Sequence, residues 1–273
     1  MKLSFNSWAY SSFPVWLPAY PIEYVIRSLA RIGYDGVELG CASPVAYPPY
    51  MTREHRARIK GLLQEEKIEV SSVLPVPGGA IGNNVASPIE AEREQAVQSY
   101  KDSVDLASDL GGRICLYIAG WVVWGCDKDR AWEWSRTALR DIAAHAKTRD
   151  VVIAVEPTPA DSNLIESADD ALKLMRESGM DNVGVMFDTF HVHYRQEVPT
   201  DYVDKMGDNL LHVHISDADR RPPGSSTDFS LLIDALKSIG YGGYLAMEIG
   251  FSSRAVHPNS YAKQSFDYMK GII

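Results

Sequence analysis

Acidic and imidazole side chains stand at the ends of four consecutive hydrophobic runs. VVIAVEP contains Glu156, VGVMFD ends in Asp188, LLHVHIS carries His214, and GYLAME ends in Glu248. A charged residue after an apolar strand can simply mark the point where the chain reaches solvent. Four successive runs with such endings, all carrying carboxylate or imidazole groups, instead favour one shared site. The pattern predicts a metal ion held by these four side chains.

The ligand set indicates which metal. Three carboxylates and one imidazole form an oxygen-rich site that suits Mn²⁺ or Mg²⁺, with Co²⁺ as a plausible substitute. A structural zinc site would use thiolates or more histidines. We therefore expect one divalent ion, Mn²⁺ before Mg²⁺ or Co²⁺, with about two coordination positions left open for ligand oxygens.

The histidines near these ligands have different expected roles. His212 is two residues before His214 on one strand and faces the same way, so we expect it to be buried behind the ligand. His191 follows Asp188 by three residues in DTFH, within the turn after the strand. It is either a surface loop histidine or a donor to a substrate oxygen beside the metal. His193 is expected to be a loop residue.

Two further groups stand on loops after predicted strands. Arg220 and Arg221 lie in HISDADRRPPG, where a basic residue could bind a sugar hydroxyl or carboxylate, or where both could be solvated. Trp121 and Trp124 follow the fourth predicted strand and are candidates for the wall of a sugar pocket.

The elements that must position these residues alternate along the chain. Short apolar runs predict eight strands, at residues 2–6, 36–39, 68–74, 113–117, 151–156, 183–188, 210–216 and 243–248. An amphipathic helical pattern follows each run, which predicts a single α/β domain over residues 1–273, a (β/α)₈ TIM barrel. A doubly wound sheet is disfavoured because the first strand is not followed by a glycine-rich phosphate loop.

The barrel prediction also places the site. The longest irregular stretches, residues 74–88, 119–128 and 217–228, all follow strands, as do the four ligands. Active sites of such barrels lie at the carboxyl ends of the strands. We therefore expect the site at that face.

Composition limits the possible partners and location. A net charge of −9 argues against a nucleic-acid partner, because such proteins usually present a basic face. Three cysteines without CxxC spacing, Cys41, Cys115 and Cys126, predict reduced thiols in a cytosolic protein. The sequence shows neither a secretory leader pattern nor a run of about 18 apolar residues. We therefore expect a cytoplasmic protein that binds neither membrane nor nucleic acid.

The sequence resembles the sugar isomerase/epimerase superfamily of xylose-isomerase-like TIM barrels over essentially its whole length. GYDGVEL at 33–39 is a weak signature of that superfamily. The more specific pattern is an ordered set of motifs: Glu156-Pro157, Phe187-Asp188 followed by His191, His214 followed by Arg220, and Met247-Glu248. Order and spacing are similar to the ketose 3-epimerases, of the D-tagatose/D-allulose (D-psicose) and fructoselysine types.

The resemblance implies an activity as well as a fold. It implies a metal-dependent ketose 3-epimerase that inverts C3 of a sugar substrate through a metal-bound cis-enediolate. Glu156 and Glu248 would be both metal ligands and the catalytic acid/base pair, and His191 and Arg220 would contact the sugar. Relatives with this barrel suggest a homo-oligomer, dimer or tetramer.

One departure concerns the substrate. Free-hexulose 3-epimerases usually carry a second glutamate six residues after the first metal glutamate, and Ser162 stands there instead. The string EPTPADSN is more similar to the fructoselysine 3-epimerase branch. The identity of the ketose, free or derivatised, therefore stays open.

Other activities could use the same metal site. An aldose–ketose isomerase such as hydroxypyruvate isomerase, and an inosose or dehydroshikimate dehydratase, are the nearer alternatives. Metal-dependent nucleases of the superfamily need extra histidines from the third and fourth strands, and the runs 68–74 and 113–117 contain none. A sugar-binding protein without activity would not need two carboxylates beside a metal.

Overall fold

The computed structural model describes residues 1–11, 19–43, 45–76, 83–250 and 256–273. Its strands are β1 (Lys2–Asn6), β2 (Gly36–Cys41), β3 (Glu69–Pro75), β4 (Ile114–Ile118), β5 (Val152–Glu156), β6 (Val183–Asp188), β7 (Leu210–Ile215) and β8 (Tyr244–Met247). Each strand pairs in parallel with the next, and β8 pairs with β1, which closes the sheet. The predicted single-domain TIM barrel is confirmed.

Helices surround this barrel. They are α1 (Ile22–Ile32), α2 (Arg53–Glu66), α3 (Glu90–Leu110), α4 (Lys128–Thr148), α5 (Ala168–Ser178), α6 (Thr189–Tyr194), α7 (Pro199–Met206), α8 (Ser230–Ser238) and α9 (Pro258–Ile272). The short helix α6 was not predicted. Among the described residues, no helix is both long and apolar enough to span a bilayer. Residues 77–82 of the predicted irregular stretch 74–88 lie outside the described residues.

Helix α1 shows why the outer helices form and how they dock. Its apolar residues Ile22, Val25, Ile26 and Leu29 recur at helical spacing and are buried in the core. Gly33 ends the helix with a φ of 114°, a left-handed conformation that favours glycine. The sequence pattern of α1 therefore fixes both the buried face and the end of the helix.

Side chains along each strand point alternately into the barrel and outward to the surrounding helices, which creates an inner and an outer apolar layer. In β6, Val185 and Phe187 pack with the surrounding helices, whereas Met186 belongs to a separate apolar cluster inside the barrel. Asp188 shares the inward side with Met186 because successive strand residues point to opposite faces. The same alternation directs the last inward residue of each neighbouring strand into the barrel mouth, above the apolar cluster.

The loop after β4 is fastened to the segment that follows β3. The Asn84 side-chain oxygen accepts hydrogen bonds from the backbone amides of Ala86, at 3.0 Å, and Trp121, at 3.1 Å. Its side-chain amide donates to the Trp121 carbonyl at 3.0 Å. Gly120 has a φ of 81°, and a Cβ added there would overlap the Asn84 side-chain oxygen and lie 3.0 Å from the Ala86 backbone nitrogen. The close approach requires glycine.

We expect Gly120→Ala to lower the free energy of unfolding by about 2–4 kcal/mol, because it combines backbone strain with displacement of Asn84. The control is Gly125→Ala in the same loop, where φ is 85° but a Cβ would meet nothing within 4 Å. It should cost only about 1 kcal/mol. Urea unfolding followed by circular dichroism measures both, and equal losses would rule out the close-approach explanation.

Candidate active site

Four side chains converge at the carboxyl ends of β5 to β8. Glu156, Asp188, His214 and Glu248 each offer one ligand atom, and these atoms all lie within 4.8 Å of one another. Asp188 on β6 pairs in register with His214 on β7. The side chains of Asp188 and His214 are fully buried, and Glu156 is 3% exposed. The structure therefore brings together the four residues that the sequence singled out.

The His214 ring orients one nitrogen toward the acidic groups. Its Nδ1 lies 3.1 Å from Glu248 Oε2 and 3.7 Å from Glu156 Oε1. Among the described residues, this buried nitrogen has no hydrogen-bond partner. A buried nitrogen facing two carboxylates is the environment expected around a bound cation. The donor set and its geometry thus fit a divalent ion.

Arg220 connects two of the acidic side chains. Its Nη1 donates to Asp188 Oδ2 at 2.5 Å and to Glu248 Oε2 at 2.7 Å, and its guanidinium lies 4.1 Å from the centroid of the Phe190 ring. Arg221 instead points to solvent and pairs with Asp219. Of the two adjacent arginines, it is Arg220, the one that the resemblance singled out, that enters the site.

The electrostatic environment shifts the pKa values of Glu156 and Glu248 in opposite directions. Burial raises the pKa of Glu156 well above its ordinary value, and the nearby Glu248 and Asp188 charges raise it further. Burial also raises the pKa of Glu248, but Arg220 and His214 outweigh it and hold that pKa well below the ordinary value. One carboxyl thus favours its protonated form and the other its ionised form.

His191 lies close to the metal-type ligands, but its setting differs from the prediction. It is on the short helix α6 together with His193, not in an irregular turn. Helix α6 begins there because the Asp188 side chain accepts from the Phe190 backbone amide at 2.8 Å, as an N-cap. His191 is 3% exposed, and its Nε2 lies 3.5 Å from Asp161 Oδ2. Burial lowers the pKa of His191, which favours the neutral ring.

The tryptophans of the loop after β4 differ in exposure. Trp121 is partly buried, and Asn84 holds its backbone at the carboxyl face of the barrel. Its contact with a sugar stays a prediction. Trp124 is fully exposed, so it forms no pocket wall within a single chain.

A buried glutamate on β2 is part of the site that the sequence did not reveal. Glu38 is fully buried, and His212 and His214 each place Nε2 2.9 Å from its carboxylate. Asn6 and Ser72, from the strands on either side, also donate to it, at 2.6 and 2.5 Å. The expected burial of His212 behind His214 is confirmed. A charged residue inside the apolar run GVELGC was the available signal for Glu38.

Comparison with known proteins identifies similar chains. The family described as "Xylose isomerase-like TIM barrel" matches residues 26–272. Fructoselysine 3-epimerase of Shigella flexneri is 24% identical over 93% of this chain and 94% of its own length. L-ribulose 3-epimerase of Mesorhizobium japonicum is 29% identical over 87% of this chain and 78% of its own.

A solved structure supports the fold assignment. The structure of D-psicose 3-epimerase with D-tagatose from Clostridium cellulolyticum H10 matches with a TM-score of 0.85. It covers 100% of this chain and 99% of the other, at 20% identity. The predictions of the superfamily and of an isomerase-class carbohydrate epimerase are confirmed at that level. This chain belongs to the xylose isomerase-like TIM barrel family.

Proposed function

We propose that this chain is a divalent-metal-dependent 3-epimerase that inverts C3 of a ketose or ketose derivative by proton transfer involving two glutamates. The observation that carries the proposal is the pair Glu156 and Glu248, whose carboxyl groups reach one common site from two strands that are not neighbours in the barrel. Removing a proton and returning another requires one base and one acid, and two carboxyl groups at one site supply both. The relatives named 3-epimerases support the same reaction.

In this proposal Glu156, Asp188, His214 and Glu248 hold the ion, and Mn²⁺ is the first candidate. Their mutual distances support this assignment, and so does His214 Nδ1, which faces the carboxylates of Glu248 and Glu156. When bound, a divalent ion would supply Lewis-acid polarisation of a substrate carbonyl and stabilise the negative charge that develops as the neighbouring C–H proton leaves.

The protein's own groups would then move the protons. Glu248, kept ionised by Arg220, removes the C3 proton from one face of the sugar. Glu156, which must carry a proton at this stage, delivers it to the other face. Glu248 directly follows β8 and Glu156 ends β5, and β6 and β7 lie between these strands in the barrel, so the two carboxyls come from different sides of the mouth. In the reverse direction the two residues exchange roles.

The remaining groups would bind the sugar. His191 would donate to a substrate oxygen, Arg220 would hold a hydroxyl while it keeps Glu248 ionised, and Trp121 would form part of the pocket wall. Ser162, at the position where free-hexulose enzymes usually have a glutamate, has its hydroxyl 2.8 Å from that of Thr158. Because this position carries no carboxylate, the proposed substrates include ketose derivatives.

Mn²⁺ should stabilise the metal-free protein, by about 2.7 kcal/mol at one hundred times its Kd. Asp188→Asn should weaken Mn²⁺ binding about tenfold or more, because it removes a ligand charge but keeps a side-chain oxygen able to cap α6. The matched control is Asp219→Asn, which removes one exposed charge from the same face. Calorimetric titration gives both affinities, and equal Mn²⁺ affinities in the two variants would contradict the proposed site.

Glu156→Gln and Glu248→Gln should each reduce kcat by about 10²–10⁴-fold at saturating Mn²⁺, because each removes one proton-transfer group. Both variants should remain folded, as judged by thermal unfolding. Glu65→Gln, at an exposed position of α2, is the control and should keep full activity. Full turnover in either site variant would exclude the two-glutamate mechanism.

A panel of ketoses in D₂O with Mn²⁺ should yield a C3 epimer that carries deuterium at C3. Early in the reaction the recovered substrate should still carry protium, because the group that returns a proton is not the group that removed it. Mass spectrometry and NMR of both sugars measure this. Label at C1 or C2 with aldose formation would indicate an isomerase, and loss of water a dehydratase.

A further inference from the structure

Glu38 is the centre of a hydrogen-bond network that crosses the barrel interior. Asn6 on β1 and Ser72 on β3 are its register partners on the two neighbouring strands. His212 and His214 reach it from β7, which is not adjacent to β2 in the closed sheet. A fully buried carboxylate thus accepts hydrogen bonds from four side chains. Complete pairing of this kind fixes the positions of all its members.

The network and the proposed metal site use opposite nitrogens of one ring. His214 Nε2 lies 2.9 Å from Glu38, while its Nδ1 faces Glu156 and Glu248. A neutral imidazole carries a proton on one nitrogen and a lone pair on the other. With its proton on Nε2, the ring directs its lone pair toward the carboxylates at the barrel mouth.

Glu38, His212 and His214 also lie close enough together to be a second candidate metal group. The two groups share His214 and would need its opposite nitrogens, so a neutral ring cannot serve both. Asn6 and Ser72 already occupy the Glu38 carboxylate with hydrogen bonds that a metal at that position would break. This favours the group at the barrel mouth.

We propose that Glu38 is a positioning residue: by accepting the Nε2–H of His214, it fixes the ring orientation and selects Nδ1 as the metal-binding nitrogen. The inference rests on the proposed function, because it takes His214 as a metal ligand. Carboxylates behind ligating histidines orient the ring in this way and raise its basicity as a ligand. Asn6 links the Glu38 network to the proposed metal site, since its side-chain amide also donates to Glu248 Oε1 at 3.3 Å.

Glu38→Gln tests this inference with little change of shape. The amide offers one acceptor oxygen where the carboxylate had two, and its NH₂ group faces donors. We expect the Kd for Mn²⁺ to rise about 10–100-fold in a variant that stays folded. Glu65→Gln, the same change at an exposed position of α2, is the control and should leave the Kd unchanged.

Isothermal titration of metal-free protein with Mn²⁺ gives these affinities. If Glu38→Gln lowers thermal stability but keeps the wild-type Kd, Glu38 is merely structural and the inference is overturned. If wild-type protein binds no Mn²⁺, the proposed metal site fails and this inference fails with it. If the wild-type protein binds Mn²⁺ tightly and Glu38→Gln binds it equally tightly, the inference about Glu38 is wrong but the proposed metal site is not contradicted.

A second measurement does not depend on the variant folding. In wild-type protein loaded with diamagnetic Mg²⁺, long-range ¹H–¹⁵N correlation spectra report which ring nitrogen of His214 carries the proton. We expect it on Nε2. A proton on Nδ1 would overturn the inference whether or not Glu38→Gln can be purified.

Discussion

Around the barrel mouth, the carboxylates of Glu38, Glu156 and Asp188 are buried and that of Glu248 is largely covered, and the arrangement of the site follows from the need to compensate them. An ionised carboxyl removed from water is costly unless a cation or several hydrogen-bond donors meet it. Glu38 meets four donors, and Asp188 and Glu248 share the guanidinium of Arg220. Without a cation, burial favours the protonated form of Glu156. A divalent cation at this site would instead favour its ionised form, which links the protein's electrostatics to the proposed metal dependence.

Much of this arrangement was predictable because a strand alternates with a period of two. In VGVMFD, Met186 and Asp188 fall on one side, and Val185 and Phe187 on the other. Parallel strands that follow one another in sequence become neighbours in a closed barrel, so their last inward residues must meet at the mouth. Local periodicity and sequence order therefore suffice to predict the convergence of the four candidate ligands.

Other features depend on distances across the fold or on loop geometry. Glu38 and His214 are on strands that are not neighbours in the barrel. Local sequence patterns do not predict a contact between such strands. Arg220 and Arg221 are adjacent in sequence, yet Arg220 adopts a φ of 61° and enters the site while Arg221 faces solvent. Helix α6 begins because the Asp188 side chain caps it. The sequence suggested only a metal-binding role for Asp188, so this capping role was not predicted.

The Glu38 network also bears on how such a barrel can change during evolution. The four candidate ligands stand on β5 to β7 or directly after β8, so the C-terminal half could be regarded as an autonomous functional module. The first three strands, however, supply Asn6, Glu38 and Ser72, the acceptor and its supports behind His214. In a chimera that joins β5–β8 to a foreign N-terminal half without this trio, the imidazole would lose its anchor. If Glu38 positions His214 as proposed, recombination between half-barrels is restricted to partners that bring a matching β2 carboxylate.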